Sequence, residues 1–175
     1  MRSHMKRYAN IVLVGFMGTG KTSVGKVLAN RLHMVFVDMD EVIEQREGMT
    51  VSRIFEEKGE PHFRTLERQL VLELSAKSGL VVGTGGGVVL NPDNISDFSR
   101  NGLVVCLSAR PEAILARLSA DSTRPLLAEG DKKKRIMTLL DSRKKLYDAV
   151  QHRIDTTDLT VEKIADKIVA LFNEA

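Results

Sequence analysis

Four groups of residues in this sequence have the types and spacing that chemistry needs. The first is Gly15-Phe16-Met17-Gly18-Thr19-Gly20-Lys21-Thr22, which fits the pattern G-x-x-x-x-G-K-[ST] in full. Glycines at these positions let the backbone take conformations that a β-carbon opposes. The loop's N–H groups then turn inward around phosphate oxygens. A helix starting near Lys21 adds the positive end of its dipole. Lys21 brings a full charge to the β- and γ-phosphates, and Thr22 offers a hydroxyl to Mg²⁺. Nucleotide contacts are expected from Gly18, Thr19, Gly20, Lys21, Thr22 and Ser23. The motif establishes nucleotide handling and leaves the acceptor open.

The second group is Asp38-Met39-Asp40, directly after the apolar run Val35-Phe36-Val37. If a strand continues through Asp40, its period of two puts both carboxylates on one side and Met39 on the other. One carboxylate then suits the metal and the other the proton of an attacking hydroxyl. We assign Asp38 to the metal and Asp40 to the acceptor. The alternative is that one of them caps the helix over Glu41–Arg46.

The third group is Phe63-Arg64-Thr65-Leu66-Glu67. Arg64 and Glu67 are three apart and share a helical face. Either they form an ordinary surface pair, or Arg64 forks onto a substrate carboxylate while Glu67 holds it still. The fourth is Gly83-Thr84-Gly85-Gly86-Gly87, which follows an apolar run. Successive glycines suit a backbone that passes close to a ligand, with a flexible loop as the alternative. Arg117, Arg124 and Arg143 flank or follow the irregular stretch between Ser119 and Lys134. They are either solvated surface cations or charges that a closing loop brings to a transferring phosphoryl group.

The elements that must position these groups alternate strand and helix, which argues for an α/β fold with a parallel sheet. Strands are expected over Asn10–Val14, Val35–Val37, Leu80–Val82 and Leu103–Leu107, with a weaker one at Arg153–Asp155. The stronger runs are near-continuously apolar, as for strands covered on both faces. Helical stripes run through Val24, Val27, Leu28 and Leu32, and through Phe63, Leu66, Leu70 and Leu74 over Pro61–Lys77. Pro111 opens a helix over Glu112–Leu118, and Thr160 caps a last one with Val161, Ile164, Ile168 and Phe172 inward.

Composition bounds the rest. A chain of 175 residues suits one domain over 1–175, with an ordinary apolar share of 43% and charged share of 28%. The lone Cys106 excludes a disulfide within the chain, reads as a buried small hydrophobe and fits a reducing cytoplasm. No apolar stretch approaches the ~20 residues that span a bilayer. The start is short, polar and basic, unlike a signal peptide, and residues 1–5 read as an expression-tag remnant. The net charge of +3 comes without Trp or a basic–aromatic platform, which argues against nucleic acid. The run Lys132-Lys133-Lys134-Arg135 reads as a solvated helix start.

Taken together, these motifs resemble the shikimate kinases. The phosphate loop reads G-F-M-G-T-G-K-T, and Asp38-Met39-Asp40 is similar to their D-x-D. Phe63-Arg64-x-x-Glu67 is similar to F-R-x-x-E, and Gly85-Gly86-Gly87 to their glycine triplet. Arg124-Pro125-Leu126-Leu127 resembles the lid motif R-P-L-L, and Arg143-x-x-x-Tyr147 the R-x-x-x-Y before the last strand. The resemblance implies a three-layer P-loop kinase fold, with a five-stranded parallel sheet of order 2-3-1-4-5 and a mobile lid over about 118–134. It implies transfer of the ATP γ-phosphate to the 3-hydroxyl of shikimate with Mg²⁺, by a cytoplasmic monomer.

Position by position, the resemblance gives Asp40, Arg64, Gly85, Gly86, Gly87 and Arg143 to shikimate. Lys21 and Arg124 go to the moving phosphoryl group, Arg117 to the adenine, and Thr22 and Asp38 to Mg²⁺. The chain departs from the family at Asp155-Thr156-Thr157-Asp158, where D-T-N is frequent. The competing expectations are a gluconate or nucleoside-monophosphate kinase, and a non-catalytic nucleotide-binding module.

Overall fold

The computed structural model describes residues 8–119 and 132–175. Five strands, β1 (Asn10–Gly15), β2 (Val35–Asp38), β3 (Leu80–Gly83), β4 (Gly102–Ser108) and β5 (His152–Asp155), pair in parallel in the order β2-β3-β1-β4-β5. This is the expected order. Helices α1 (Lys21–Leu32) and α8 (Val161–Glu174) cover one face of the sheet. The other face is covered by α2 (Met39–Glu47), α3 (Val51–Lys58), α4 (Glu60–Ser75), α5 (Pro92–Ser99), α6 (Pro111–Leu118) and α7 (Lys132–Asp148).

The alternation of β1 divides the core. Ile11 and Leu13 pack toward α1 and α8, while Val12 and Val14 pack toward the opposite layer. Strands β1 and β3 are buried along their whole length, and β4 up to Leu107, which accounts for their unbroken apolar runs. The same expectation fails for β2. It lies at the sheet edge, its residues are only half-covered, and Val35 is 62% exposed.

A second correction concerns Asp38-Met39-Asp40. The strand ends at Asp38 and α2 begins at Met39, because an Asp38 carboxylate oxygen accepts the Glu41 N–H at 3.2 Å. Asp40 therefore sits in the first turn of a helix, and Met39 is fully buried. The two carboxylates are related by a helix entry, not by a strand's period.

Other expectations need smaller adjustments. The helix expected over Pro61–Lys77 runs Glu60–Ser75, with Phe63, Leu70 and Leu74 buried. Helices α3 and α5 lie outside the elements expected from the sequence, although Thr50 and Asn91 cap them through side-chain oxygens. Thr160 caps α8 as expected, accepting the Lys163 N–H at 3.2 Å. Lys132 to Arg135 are exposed at the start of α7. Cys106 is buried in β4, and burial pushes its thiol up to about 11. Among the described residues no helix is long and apolar enough to cross a membrane.

Candidate active site

In the middle of the sheet, β1 has β3 on one side and β4 on the other, so the winding reverses beside it. Its carboxyl end opens a cleft of about 740 Å³ lined by Gly18, Gly20, Lys21, Thr22, Ser23, Asp38, Asp40 and Arg117. Gly15, at φ 141°, ends β1 so close to β4 that a β-carbon would collide with the Leu107 carbonyl. Gly18 and Gly20 also have positive φ, at 76° and 102°. The loop then runs into the N-terminus of α1.

Lys21 curls over this loop, its Nζ donating to the carbonyls of Gly15 at 2.6 Å and Phe16 at 2.9 Å. The Thr19 hydroxyl donates to the Phe16 carbonyl at 2.7 Å and is 1% exposed. Thr19 thus braces the loop from within, so its backbone, not its side chain, is what a nucleotide could meet. Thr22 and Ser23 are exposed at the cleft.

The Thr22 hydroxyl lies 3.5 Å from Asp38 Oδ2, while Asp38 Oδ1 caps α2. These are hard oxygen ligands, suited to a divalent cation that takes its other ligands from phosphate oxygens and water. Among the described residues no cluster of three or more His, Cys, Asp or Glu side chains forms an alternative metal site.

A second, smaller recess adjoins the cleft. It is lined by Asp40, Arg64, Glu67, Gly85, Gly86, Gly87 and Arg143, with Met17, Val51, Phe55 and Phe63 as its apolar part. Asp40 and Gly86 line both spaces. The structure therefore brings together every residue expected around the acceptor, from α2, α4, the segment after β3, and α7.

Arg64 is held by two carboxylates. Its Nη1 donates to Glu67 at 3.0 and 3.2 Å, and its Nε and Nη2 donate to Glu60 Oε1 at 3.3 and 3.1 Å. Glu67 is 2% exposed, and burial pushes its carboxyl up to about 7 against the opposing pull of Arg64. The pair is therefore not the ordinary surface pair that the spacing left open. The glycine triplet is no flexible linker either, since Gly85 and Gly87 are buried and Gly87 packs under the Arg64 guanidinium. Arg143 is 5% exposed, and Tyr147, one turn further along α7, donates to the Gly86 carbonyl at 2.6 Å.

Arg117 reaches the cleft from α6 and donates to the Gly18 carbonyl at 3.0 Å and to Thr156 at 3.2 Å. Arg124, and most of the segment expected to form a lid, lie outside the described residues. Sequence reasoning missed Glu60, Thr156 and the α3 contributions Val51 and Phe55. Glu60 stands four residues before Arg64, a spacing that favours a pair. Val51, Ile54 and Phe55 behind the cap Thr50 carry a helical stripe that could have revealed α3.

Comparison with known proteins bears on this arrangement. The family model described as shikimate kinase matches residues 17–173. A shikimate kinase of Caldanaerobacter subterraneus subsp. tengcongensis is 47% identical over 163 residues, 93% of this chain and 95% of that one. A shikimate kinase from Acinetobacter baumannii, solved in complex with shikimate, superposes with a TM-score of 0.91 at 38% identity, covering 97% of this chain and 95% of that one. A gluconokinase from Sinorhizobium meliloti, covering 96% and 94% of the two chains, reaches 0.59 at 14% identity and shares the fold alone.

Proposed function

The chain belongs to the shikimate kinase family, and from that premise we propose that it transfers the γ-phosphate of ATP to the 3-hydroxyl of shikimate, giving shikimate 3-phosphate and ADP. The observation that carries this reading is the junction of two cavities at Asp40 and Gly86. On one side lies a phosphate loop, and on the other a recess with two arginines and a carboxylate.

The N–H groups of Gly18 to Ser23 and the α1 N-terminus hold the phosphates of ATP, and Lys21, poised over the loop, brings its charge to the γ-phosphate. Mg²⁺, held by Thr22 and Asp38, supplies charge neutralisation for the transferred group when bound. Arg64 and Arg143 hold the shikimate carboxylate, and Gly85, Gly86 and Gly87 let the backbone come close to the ring. Asp40, at the junction, accepts the hydrogen bond of the 3-hydroxyl, orients its oxygen in line with the γ-phosphorus and takes its proton late. Phe55, Phe63, Val51 and Met17 exclude water from the ring's apolar edge. Arg117 stacks on the adenine. Arg124 adds a cation to the moving phosphoryl group as a lid closes. In this reading ATP and shikimate are its partners, and the enzyme acts as a monomer in the cytoplasm.

The test is the product. Incubation with MgATP and shikimate is expected to give a monophosphate whose phosphorus couples to the proton on carbon 3. A product phosphorylated elsewhere, or none from folded protein that binds ATP, would overturn the assignment.

A further inference from the structure

Thr156 lies just beyond β5, next to Thr157, where the chain departs from the family pattern. It is 1% exposed, and its hydroxyl lies 2.9 Å from the Thr19 carbonyl and 3.0 Å from the Ser108 carbonyl. Ser108 already accepts the Thr156 N–H at 2.8 Å. The single hydroxyl proton is assigned to the nearer carbonyl, that of Thr19, and the hydroxyl oxygen accepts from Arg117 Nη1 at 3.2 Å. Arg117 Nη2 donates to the Thr156 carbonyl at 3.2 Å, and its Nη1 also reaches the Gly18 carbonyl at 3.0 Å. Two consecutive carbonyls of the phosphate loop, Gly18 and Thr19, are thus held from outside by one small network.

Peptide planarity gives this network a consequence. In a trans peptide the C=O of one residue and the N–H of the next point in opposite directions. Fixing the Gly18 carbonyl toward Arg117 aims the Thr19 N–H the other way, and fixing the Thr19 carbonyl toward Thr156 does the same for the Gly20 N–H. Those N–H groups belong to the loop that surrounds the phosphates. Gly18 and Gly20 are glycines with positive φ, so the peptides between them have few steric constraints of their own and need an external hold.

We propose that Thr156 is a positioning residue, which together with Arg117 presets the peptide planes of Gly18 and Thr19 for the triphosphate. This deepens the reading of the cleft as an ATP site and rests on it. It gives Arg117 a task toward the phosphates that is separate from any contact with the base.

The probe that separates these tasks is inorganic tripolyphosphate, which has the phosphates and no base. Thr156→Val keeps the shape and removes the hydroxyl; Thr156→Ser keeps the hydroxyl. The Val variant is expected to bind ATP and tripolyphosphate each about tenfold more weakly by calorimetry, the scale of one buried hydrogen bond left unmade. Its KM for shikimate at saturating ATP stays at the wild-type value, and the Ser variant matches wild type throughout. If Thr156→Val does not fold, Arg117→Lys, which keeps the charge and loses the fork, is expected to weaken tripolyphosphate in the same way. Unchanged tripolyphosphate binding with weakened ATP would confine the network to the base and overturn the proposal. Equal losses for ATP and shikimate would reduce it to general stability and also overturn it. Wild-type protein that fails to bind ATP would instead sink the underlying ATP-site reading.

Discussion

The backbone of Gly87 passes so close beneath Arg64 that a β-carbon there would come within 2.6 Å of the guanidinium carbon. No side chain fits without moving the arginine. Gly87→Ala is therefore expected to push Arg64 out of its fork with Glu67 and Glu60. The KM for shikimate should rise about tenfold or more, the scale of a lost charge-assisted hydrogen bond, while the KM for ATP holds. Steady-state kinetics against each substrate in turn checks it. Equal changes in both constants would place the damage outside the acceptor recess.

Glu67 links this geometry to pH. Its carboxyl is raised from 4.5 to about 7, mainly by burial, with Arg64 and Arg143 opposing and Asp40 adding to the shift. A carboxyl raised in the folded state favours the fold while protonated. That contribution is complete below about 4.5 and is lost as pH rises through about 7. Glu67→Gln stays neutral throughout. Wild-type stability relative to this variant is therefore expected to fall across that window. Urea midpoints of both proteins, measured from below 4.5 to above 7, check the sign. A difference that grows with pH would contradict it.

Asp38 has two tasks on its two oxygens, and substitutions separate them. Asp38→Asn keeps an oxygen for the Glu41 N–H and loses the charge facing Thr22. It is expected to raise the Mg²⁺ concentration needed for half-maximal rate, with little change in melting temperature. Asp38→Ala should show the same metal effect plus a stability loss of about 1 kcal/mol from the missing cap. Metal titrations and thermal melts on both variants test this.

Lys21 is held over the loop by the carbonyls of Gly15 and Phe16, so it is in place before a nucleotide arrives. Lys21→Ala is expected to reduce kcat about 10²- to 10³-fold, the range for losing one preorganised charge at a transition state. The fold should persist, because Lys21 is only half-buried at a helix start. Single-turnover rates with melting curves distinguish lost chemistry from lost structure.

The phosphate loop, the inner strands and the Arg64–Glu67 face were legible because each rests on local spacing. Gly15, Gly18 and Gly20 announce positive φ, and unbroken apolar runs announce strands covered on both sides. What was not legible depends on distant partners. The end of β2 at Asp38 is decided by the cap that its side chain makes, not by the alternation that Asp38-Met39-Asp40 also fits. The position of β2 at the sheet edge came with the strand order that the resemblance implies, since its own apolar residues do not encode it. Thr156 reads as an ordinary loop residue until the fold sets it against Thr19, 137 positions earlier. Glu60 hides in the first turn of α4 because its partner is recognised by its own motif and not by what surrounds it.

The most direct test of the account is ADP release from MgATP in the presence of shikimate, gluconate, a nucleoside monophosphate, or no acceptor. The account predicts strong stimulation by shikimate alone. Stimulation by another acceptor, or the same slow release under every condition from folded, ATP-binding protein, would contradict it and leave only the phosphate loop's reading standing.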